Sequence, residues 1–200
     1  MIYSVRGKLI AKEPSMAVIE CFGVGYACRT TLATLSQIGN IGDEVKLFTY
    51  MSVREDAVEL FGFYTLDELN CFKMLTTVSG VGPKVGLSIL SEISVERFAL
   101  IVASSDSKAL TSIKGIGPKI AQRIILELKD RMVKEGLSSV GEVDFEPALS
   151  SSNTGEAISA LVVLGYSQSE VAPIIAKLDP TLSSSEMIKQ ALKIIGNKMK

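Results

Sequence analysis

The sequence predicts a mixed α+β protein of several domains, in which an N-terminal β-barrel is followed by helices. Three observations lead to this prediction. Residues 1–63 alternate between apolar and polar side chains and are rich in β-branched and aromatic residues, which is typical of strands. Beyond residue 64, apolar residues recur at helical spacing. Residues 136–153 are rich in serine, glycine and acidic residues, which indicates a flexible linker before the last helices.

The N-terminal segment contains five predicted strands. The stretches IYSVRGKLIA and MAVIECF are separated by a turn at Pro14 and Ser15, and Gly23 and Gly25 bracket the next turn, before YACRTT. EVKLFTYMSV and AVELFGFY are the last two strands, and LATLSQIG ahead of them is a short helix or a loop. Five short strands with glycine-rich corners suit a small closed barrel such as the OB-fold. An open sheet or an SH3-like barrel is the alternative.

Helical patterns fill the rest of the chain on both sides of the linker. Residues 64–135 are predicted to form one helical domain, which begins with Thr65 as N-cap and Glu68 three residues later, the pattern of a capping box. Residues 154–200 are predicted to form a compact three-helix bundle, with helices at about 154–164, 168–178 and 184–196.

The chain repeats one phrase inside the helical domain. SGVGPKVGLSIL begins at residue 79 and KGIGPKIAQRII begins at residue 114. In each copy the glycines permit a tight turn with positive φ, and the proline falls at the first position of the next helix, where it is favoured. The first N–H groups of that helix then point outward and, together with the helix dipole, favour an anion. The lysine after each proline adds a positive charge. This pattern predicts a tandem helix-hairpin-helix that contacts the phosphate backbone of a nucleic acid.

Two other interpretations of the repeat are weaker. A sharp turn between two helices with no ligand would explain one copy, but it explains less well a second copy in which lysine again follows proline. A dinucleotide-binding loop would need a strand upstream of the glycines, and the upstream segment is helical.

Charge and composition exclude several functions. The net charge is −1, yet residues 108–134 contain seven basic and only two acidic residues, which suggests a polyanion at one face. The chain has no histidine, so the commonest general base and metal ligand are missing, and we predict no catalytic residue, no metal and no cofactor. No apolar run is long enough to span a membrane. The three cysteines form neither a CxxC motif nor an even set, so we expect reduced thiols in a cytoplasmic protein.

The order of these motifs resembles the RuvA family. The resemblance rests on the opening MIYSVRGKL, then VREDAVELFGF, the hairpins SGVGPK and KGIGPKIAQRIILELKDR, and ALVVLGYSQSEV after the linker. It covers essentially the whole chain except the linker. It implies a Holliday-junction-binding protein with an OB-fold domain, a tandem helix-hairpin-helix domain and a mobile C-terminal domain. It further implies a homotetramer, sometimes paired into an octamer, with the RuvB AAA+ ATPase as its motor partner and the RuvC resolvase in a larger complex.

The resemblance also assigns roles to residues. It makes Glu55 and Asp56, in the stretch VRED, an acidic pin at the centre of the tetramer, where carboxylates repel DNA phosphates at short range. In the C-terminal bundle, Leu161, Leu164 and Tyr166 match an apolar surface for the ATPase, although their spacing also suits the core of the bundle. The DNA-contacting positions of the hairpins are Gly80, Val81, Gly82, Lys84, Gly115, Ile116, Gly117, Lys119 and Arg123.

The predicted function is a non-catalytic scaffold that recognises four-way junctions by shape and recruits a motor for branch migration. Two other classes remain open. A general duplex-binding module, for example part of a repair nuclease or glycosylase, would show little preference for junctions over linear duplex. An adaptor that binds only proteins would show no salt-dependent DNA binding.

Overall fold

The computed structural model describes residues 1–137 and 153–198, with side chains described for residues 1–129 and 153–196. Within these residues the chain divides into two compact units. One comprises Met1–Thr77 with Val81–Ser94, and the other comprises Val78–Gly80 with the described residues from Val95 onward. The predicted linker at 136–153 lies almost entirely outside the described residues.

The first unit contains a closed five-stranded barrel and three helices. Its elements are β1 (Ser4–Glu13), β2 (Met16–Cys21), β3 (Val24–Arg29), α1 (Leu32–Gln37), β4 (Glu44–Val53), β5 (Val58–Phe63), α2 (Leu66–Thr76) and α3 (Pro83–Glu92).

The strands follow the order β1-β2-β3-β5-β4 around the barrel and close between β4 and β1. All pairs are antiparallel except β3 with β5, which is parallel. The closed barrel confirms the OB-like prediction over the open sheet. The segment that was predicted as a loop or a helix is helix α1. One detail of the prediction was wrong, because Gly25 lies inside β3 and the preceding turn consists of Phe22 and Gly23, both with positive φ.

The barrel interior is filled by apolar side chains that alternate along the strands. Leu9, Ile19 and Leu47 are fully buried at its centre. Gly7 lies where β1 passes over the backbone of β2, and a Cβ at this position would come within 2.0 Å of the carbonyl oxygen of Glu20. Glycine is therefore required at position 7, because only its missing side chain allows the two strands to approach this closely.

The three cysteines are free thiols. Cys28 and Cys71 are buried, and Cys21 is partly exposed and donates to the backbone oxygen of Arg6 at 3.0 Å. Burial raises the pKa of Cys28 to about 12, with a smaller contribution from Cys21, so this thiol stays protonated at neutral pH.

Helix α2 is attached to the barrel through Phe72. This side chain is fully buried, and its ring stacks on Phe61 with centroids 5.3 Å apart and packs against Phe63 at 4.8 Å and Tyr50 at 5.6 Å. On its other side, a Cβ at Gly86 of α3 would lie 3.2 Å from the same ring. One aromatic side chain thus joins strands β4 and β5, helix α2 and helix α3.

The start of α2 differs from the predicted capping box. Thr65 is the N-cap, and its hydroxyl accepts from the backbone N–H of Glu68 at 3.2 Å, as predicted. The Glu68 carboxylate, however, accepts from the hydroxyls of Thr31, the N-cap of α1, and Thr34 within α1. A tertiary contact has replaced the local one, because the barrel places two hydroxyl donors within reach of this side chain.

The second unit contains the remaining described helices, which are α4 (Val95–Ala103), α5 (Ser107–Thr111), α6 (Pro118–Leu137), α7 (Asn153–Val163), α8 (Gln168–Ile175) and α9 (Ser184–Lys198). The three predicted C-terminal helices are present, although α8 ends at Ile175, three residues earlier than predicted. Helix α7 packs against α8 and α9 and also against α4 and α6. Most of its residues are buried or half-buried, as expected for a helix that is apolar on more than one face.

We expect Gly7→Ala to destabilise the barrel by about 2 kcal/mol or more, because β1 must move away from β2 to admit the new methyl group. Gly25→Ala is a matched control on β3, since its Cβ would meet the nearest atom at an ordinary 3.4 Å. Chemical denaturation of both variants measures the difference. Equal stability of the two variants would contradict the close approach at Gly7.

Candidate nucleic-acid interface

The two copies of the repeated phrase form the same local structure. Gly80 and Gly115 adopt positive φ angles of 87° and 88°, so a residue with a side chain would be strained at either position. Pro83 and Pro118 are the first residues of α3 and α6, as predicted. Gly82, by contrast, is the N-cap of α3 in an extended conformation with φ of −81°, so its role is not a positive φ.

The second glycine of each copy leaves the start of the helix open. Apart from the glycine itself and its neighbours in the chain, no heavy atom lies within 4 Å of the Cβ position at Gly82 or Gly117. Gly82 also offers no side-chain cap to α3, and Pro83 has no N–H group. The N–H groups of Val85 and Gly86 donate to the carbonyl of Gly82 at 3.0 Å, so the N–H of Lys84 is the donor of the first turn that remains for a ligand. An oxyanion can approach the backbone closely there, and the helix dipole favours its negative charge.

The apolar residue between the two glycines is buried in both copies. Val81 is 3% exposed and Ile116 is 5% exposed. Their side chains therefore anchor the turns in the protein interior and are not available to a ligand. Of the predicted contact positions, these two can contribute backbone groups only.

The second unit contains a surface pocket beside the first turn. It is lined by residues from that turn and from the first turns of α6, namely Ser79, Gly80, Lys119, Ile120, Gln122 and Arg123. The structure therefore brings together three predicted positions, Gly80, Lys119 and Arg123, from copies that are 35 residues apart in the sequence. A glycine turn next to a lysine and an arginine is a suitable environment for a phosphate group.

Arg123 is held in place by residues that the sequence analysis did not identify. Its Nη1 donates to the backbone oxygen of Ser79 at 3.4 Å and to the Ser79 hydroxyl at 3.2 Å. Its Nε lies 3.8 Å from Oε1 of Glu127, one helical turn further along α6, and Oε2 of Glu127 accepts from the Ser79 backbone N–H at 3.3 Å. Glu127 thus orients both the guanidinium and the turn.

A signal for part of this network was present in the sequence. Ser79 is the first residue of the first copy, and Lys114 is the first residue of the second copy. The two copies therefore differ at this position. Glu127 follows Arg123 at the i,i+4 spacing of a helical ion pair. Only the fold, however, shows that both residues meet at the turn of the first copy.

Lys84 belongs to the first unit. It is exposed in the first turn of α3, as is Gly82 at the N-cap. Its ammonium can therefore reach an anion bound at this helix start, in the same way as Lys119 at the start of α6.

The predicted acidic pin is an exposed turn between β4 and β5. The backbone N–H of Arg54 donates to the carbonyl of Ala57 at 2.8 Å, which closes the turn and places Glu55 and Asp56 at its tip. The two carboxylates are on a turn rather than in an extended segment. Val53 and Val58, the last residue pair of the hairpin, are 63% and 69% exposed and lie directly opposite each other.

The residues predicted to contact a motor partner lie in the C-terminal helices. Leu161 is fully buried, Leu164 is 8% exposed and Tyr166 is partly exposed. Gly165, with φ of +91°, lies two residues after the end of α7, and the backbone N–H of Tyr166 donates to the carbonyl of Leu161 at 3.2 Å. The two leucines therefore occupy core positions in this conformation, the alternative that their spacing left open, and a partner would reach them only if the packing around α7 opened.

No group of three or more Cys, Asp or Glu side chains suited to a metal ion occurs among the described residues. In the same part of the chain, no helix has the length and apolar character that a membrane span requires.

An OB-like barrel followed by two glycine-led helix starts defines a tandem helix-hairpin-helix protein. Family models match the chain in this order. The RuvA N-terminal domain matches residues 1–62, the SAM-like helix-hairpin-helix tandem matches residues 72–130, and the RuvA C-terminal domain matches residues 152–196.

Curated relatives match over nearly the full length. Proteins named Holliday junction branch migration complex subunit RuvA are 47% identical in Acetivibrio thermocellus, 40% in Dehalococcoides mccartyi and 35% in Vibrio parahaemolyticus. These matches cover 96%, 99% and 96% of this chain and 98%, 100% and 98% of the relatives. The chain belongs to the RuvA family.

We expect Lys84→Ala combined with Lys119→Ala to weaken binding to all DNA substrates to a similar extent, because both lysines are predicted to contact phosphates rather than bases. The slope of log K against log salt concentration should become shallower by about two units. Fluorescence anisotropy at several salt concentrations measures this slope.

A matched control for the lysine pair is Lys177→Ala combined with Lys193→Ala. It removes the same charge from two exposed positions, one between α8 and α9 and the other within α9. If both double variants change the slope equally, the effect is one of net charge, and the assignment to the two helix starts is wrong.

Proposed function

We propose that this protein binds four-way DNA junctions by their shape and serves as the DNA-binding subunit of a branch-migration complex in recombination and repair. The observation that carries the proposal is the twice-repeated open helix start, with a glycine turn and a following lysine, in a chain that also presents an acidic turn. The repeat supplies sequence-independent contacts to phosphates. The acidic turn supplies repulsion where several DNA strands converge.

The proposed division of labour has three domains. Residues 1–63 form the barrel that presents Glu55 and Asp56, residues 64–135 contact the DNA, and residues 154–200 bind the motor, with a flexible linker at 136–153. The protein itself performs no catalysis, and the RuvB AAA+ ATPase supplies the energy for moving the branch point. The RuvC resolvase joins a larger complex.

The proposed assembly is a homotetramer, or two tetramers on one junction, with an open, square-planar junction on its surface. In such a tetramer the four acidic turns lie close to the symmetry axis, where their charges add. The exposed pair Val53 and Val58 beside the turn supports this arrangement, since an apolar pair next to two carboxylates gains most when a second copy covers it.

Glu55→Gln combined with Asp56→Asn should strengthen binding to linear duplex by about five- to tenfold, because the variant removes like-charge repulsion from the centre of the assembly. Preference for the junction over the duplex should fall accordingly. The measurement is a gel-shift competition in which labelled junction is challenged with excess linear duplex of the same sequence at two salt concentrations.

The matched control for this variant is Glu13→Gln combined with Glu20→Gln, which removes two charges from exposed strand positions of the same barrel. If the acidic-turn variant binds duplex more weakly than the unmodified protein, or if the control has the same effect, the acidic turn has no special role. If linear duplex displaces the labelled junction from the unmodified protein as effectively as unlabelled junction does, the protein is a general duplex-binding protein.

Deletion of residues 150–200 should abolish stimulation of RuvB ATP hydrolysis on junction DNA and leave junction binding intact. Because α7 packs against α4, the deletion also uncovers apolar surface, so the full-length variant Tyr166→Ala is measured beside it. Loss of junction binding in both variants would mean that the C-terminal helices belong to the DNA-binding surface. Full stimulation of ATP hydrolysis by both variants would mean that this region does not recruit the motor.

A further inference from the structure

Glu68 is the one charged residue that is buried among the residues whose exposure the structure describes. It is 5% exposed and lies on α2, away from the turns and helix starts that are proposed to bind DNA. Burial raises the pKa of its carboxyl. Hydrogen bonds from the side chains of Thr31 and Thr34 and from the backbone of Tyr64 lower the pKa and so oppose this shift. A buried carboxylate costs stability that a well-packed apolar residue would not, so its presence calls for another explanation.

The hydrogen bonds of Glu68 connect three separate segments. The Thr34 hydroxyl donates to Oε2 at 2.6 Å and accepts from the backbone N–H of Tyr64, at the end of β5, at 2.9 Å. The Thr31 hydroxyl donates to Oε1 and accepts from the backbone N–H of Thr34 at 3.0 Å, as the N-cap of α1. Each hydroxyl therefore donates one hydrogen bond and accepts another, and the carboxylate accepts the two hydrogen bonds that the hydroxyls donate. This closed arrangement joins the end of β5, α1 and α2.

The same cluster reaches α3. The first residue of α1, Leu32, donates its backbone N–H to the hydroxyl of Ser91 in α3 at 3.2 Å. On α2, Glu68 and Phe72 are four residues apart and lie on the same face, where Phe72 packs between the barrel and Gly86 of α3. The aromatic contact supplies apolar burial, which is not directional, whereas the hydrogen bonds of Glu68 permit only one orientation.

The relative position of the two features of the first unit that are proposed to act on DNA depends on this orientation. The hairpin of β4 and β5 carries Glu55 and Asp56, and α3 carries Lys84 in its first turn. The placement of Lys84 relative to the acidic turn is therefore determined by how α2 and α3 sit on the barrel. A phosphate contact and a repulsive turn must keep a defined separation if they are to distinguish a junction from a duplex.

We propose that Glu68 is a positioning residue for junction recognition, because its hydrogen bonds with Thr31 and Thr34 fix the first hairpin helices on the barrel. The inference rests on the proposed function. It goes beyond that function by assigning selectivity for DNA shape to a buried polar cluster that touches no DNA. Removing the cluster should lower the ratio of junction affinity to duplex affinity and leave duplex affinity, which depends on the helix starts, within about twofold.

The test measures this ratio in the full chain by competition between junction and linear duplex. Glu68→Gln replaces one acceptor oxygen by an amide donor, and Thr34→Val removes both hydrogen bonds of that hydroxyl at constant shape. In each variant we expect the ratio to fall by about five- to tenfold, the size that corresponds to the loss of a buried hydrogen bond. Thr34→Ser keeps the hydroxyl and should retain the ratio of the unmodified protein.

A second buried threonine separates positioning from stability. Thr49 on β4 is 3% exposed and donates to the backbone oxygen of Ile2 at 2.8 Å, but it contacts neither α1 nor α2 through this bond. Thr49→Val thus removes a comparable buried hydrogen bond and should leave the ratio unchanged. Hydrogen exchange at the Tyr64 amide, which Thr34 protects, shows directly that the cluster has opened in Thr34→Val.

The outcomes separate the inference from the proposed function. If the unmodified protein shows no preference for junctions, the proposed function is wrong and the positioning role is wrong with it. If it does show the preference, and folded Glu68→Gln and Thr34→Val retain it, the positioning role alone is overturned. An equal loss in Thr49→Val would also overturn it, because general destabilisation would then explain the effect. If Thr34→Val does not fold, the ratio of junction affinity to duplex affinity in Glu68→Gln decides whether the positioning role holds.

Discussion

The packing of Phe72 is the interaction on which the arrangement of the first unit depends. Its ring is fully buried between the aromatic side chains of β4 and β5 on one side and Gly86 on the other. Because aromatic packing fixes distance better than rotation, the directional hydrogen bonds of Glu68 on the same helix face complete the constraint.

The two glycine-led helix starts share one simple local design. A helix normally satisfies its first N–H groups with a capping side chain, and the repeated phrase places glycine where that side chain would be. Donors that stay unused, such as the backbone N–H of Lys84 in α3, are then available to a ligand. The positive charges of Lys84, Lys119 and Arg123 stand beside these donors, so that backbone and side-chain contributions favour the same kind of ligand, an oxyanion. The buried Val81 and Ile116 hold the turns in place.

Several predictions from the sequence were confirmed because they rest on local chemistry. The barrel strands follow from alternation over residues 1–63, and the helix starts at Pro83 and Pro118 follow from the preference of proline for the first helical turn. The prediction for Glu68 was partly wrong, since a capping box describes only what residues 65–68 can do among themselves. Competition from the hydroxyls of Thr31 and Thr34, more than thirty residues away, cannot be read from that stretch.

The sequence by itself determined the order of strands and helices, the repeated glycine turns and the acidic turn, because each of these depends on residues close together in the chain. Only the tertiary structure decided which side chains are available. It buried Val81, Ile116 and Leu161, and it brought Ser79 and Glu127 to Arg123. The physical reason is that burial and long-range hydrogen bonds depend on how faces of different elements meet, which periodicity along the chain does not specify.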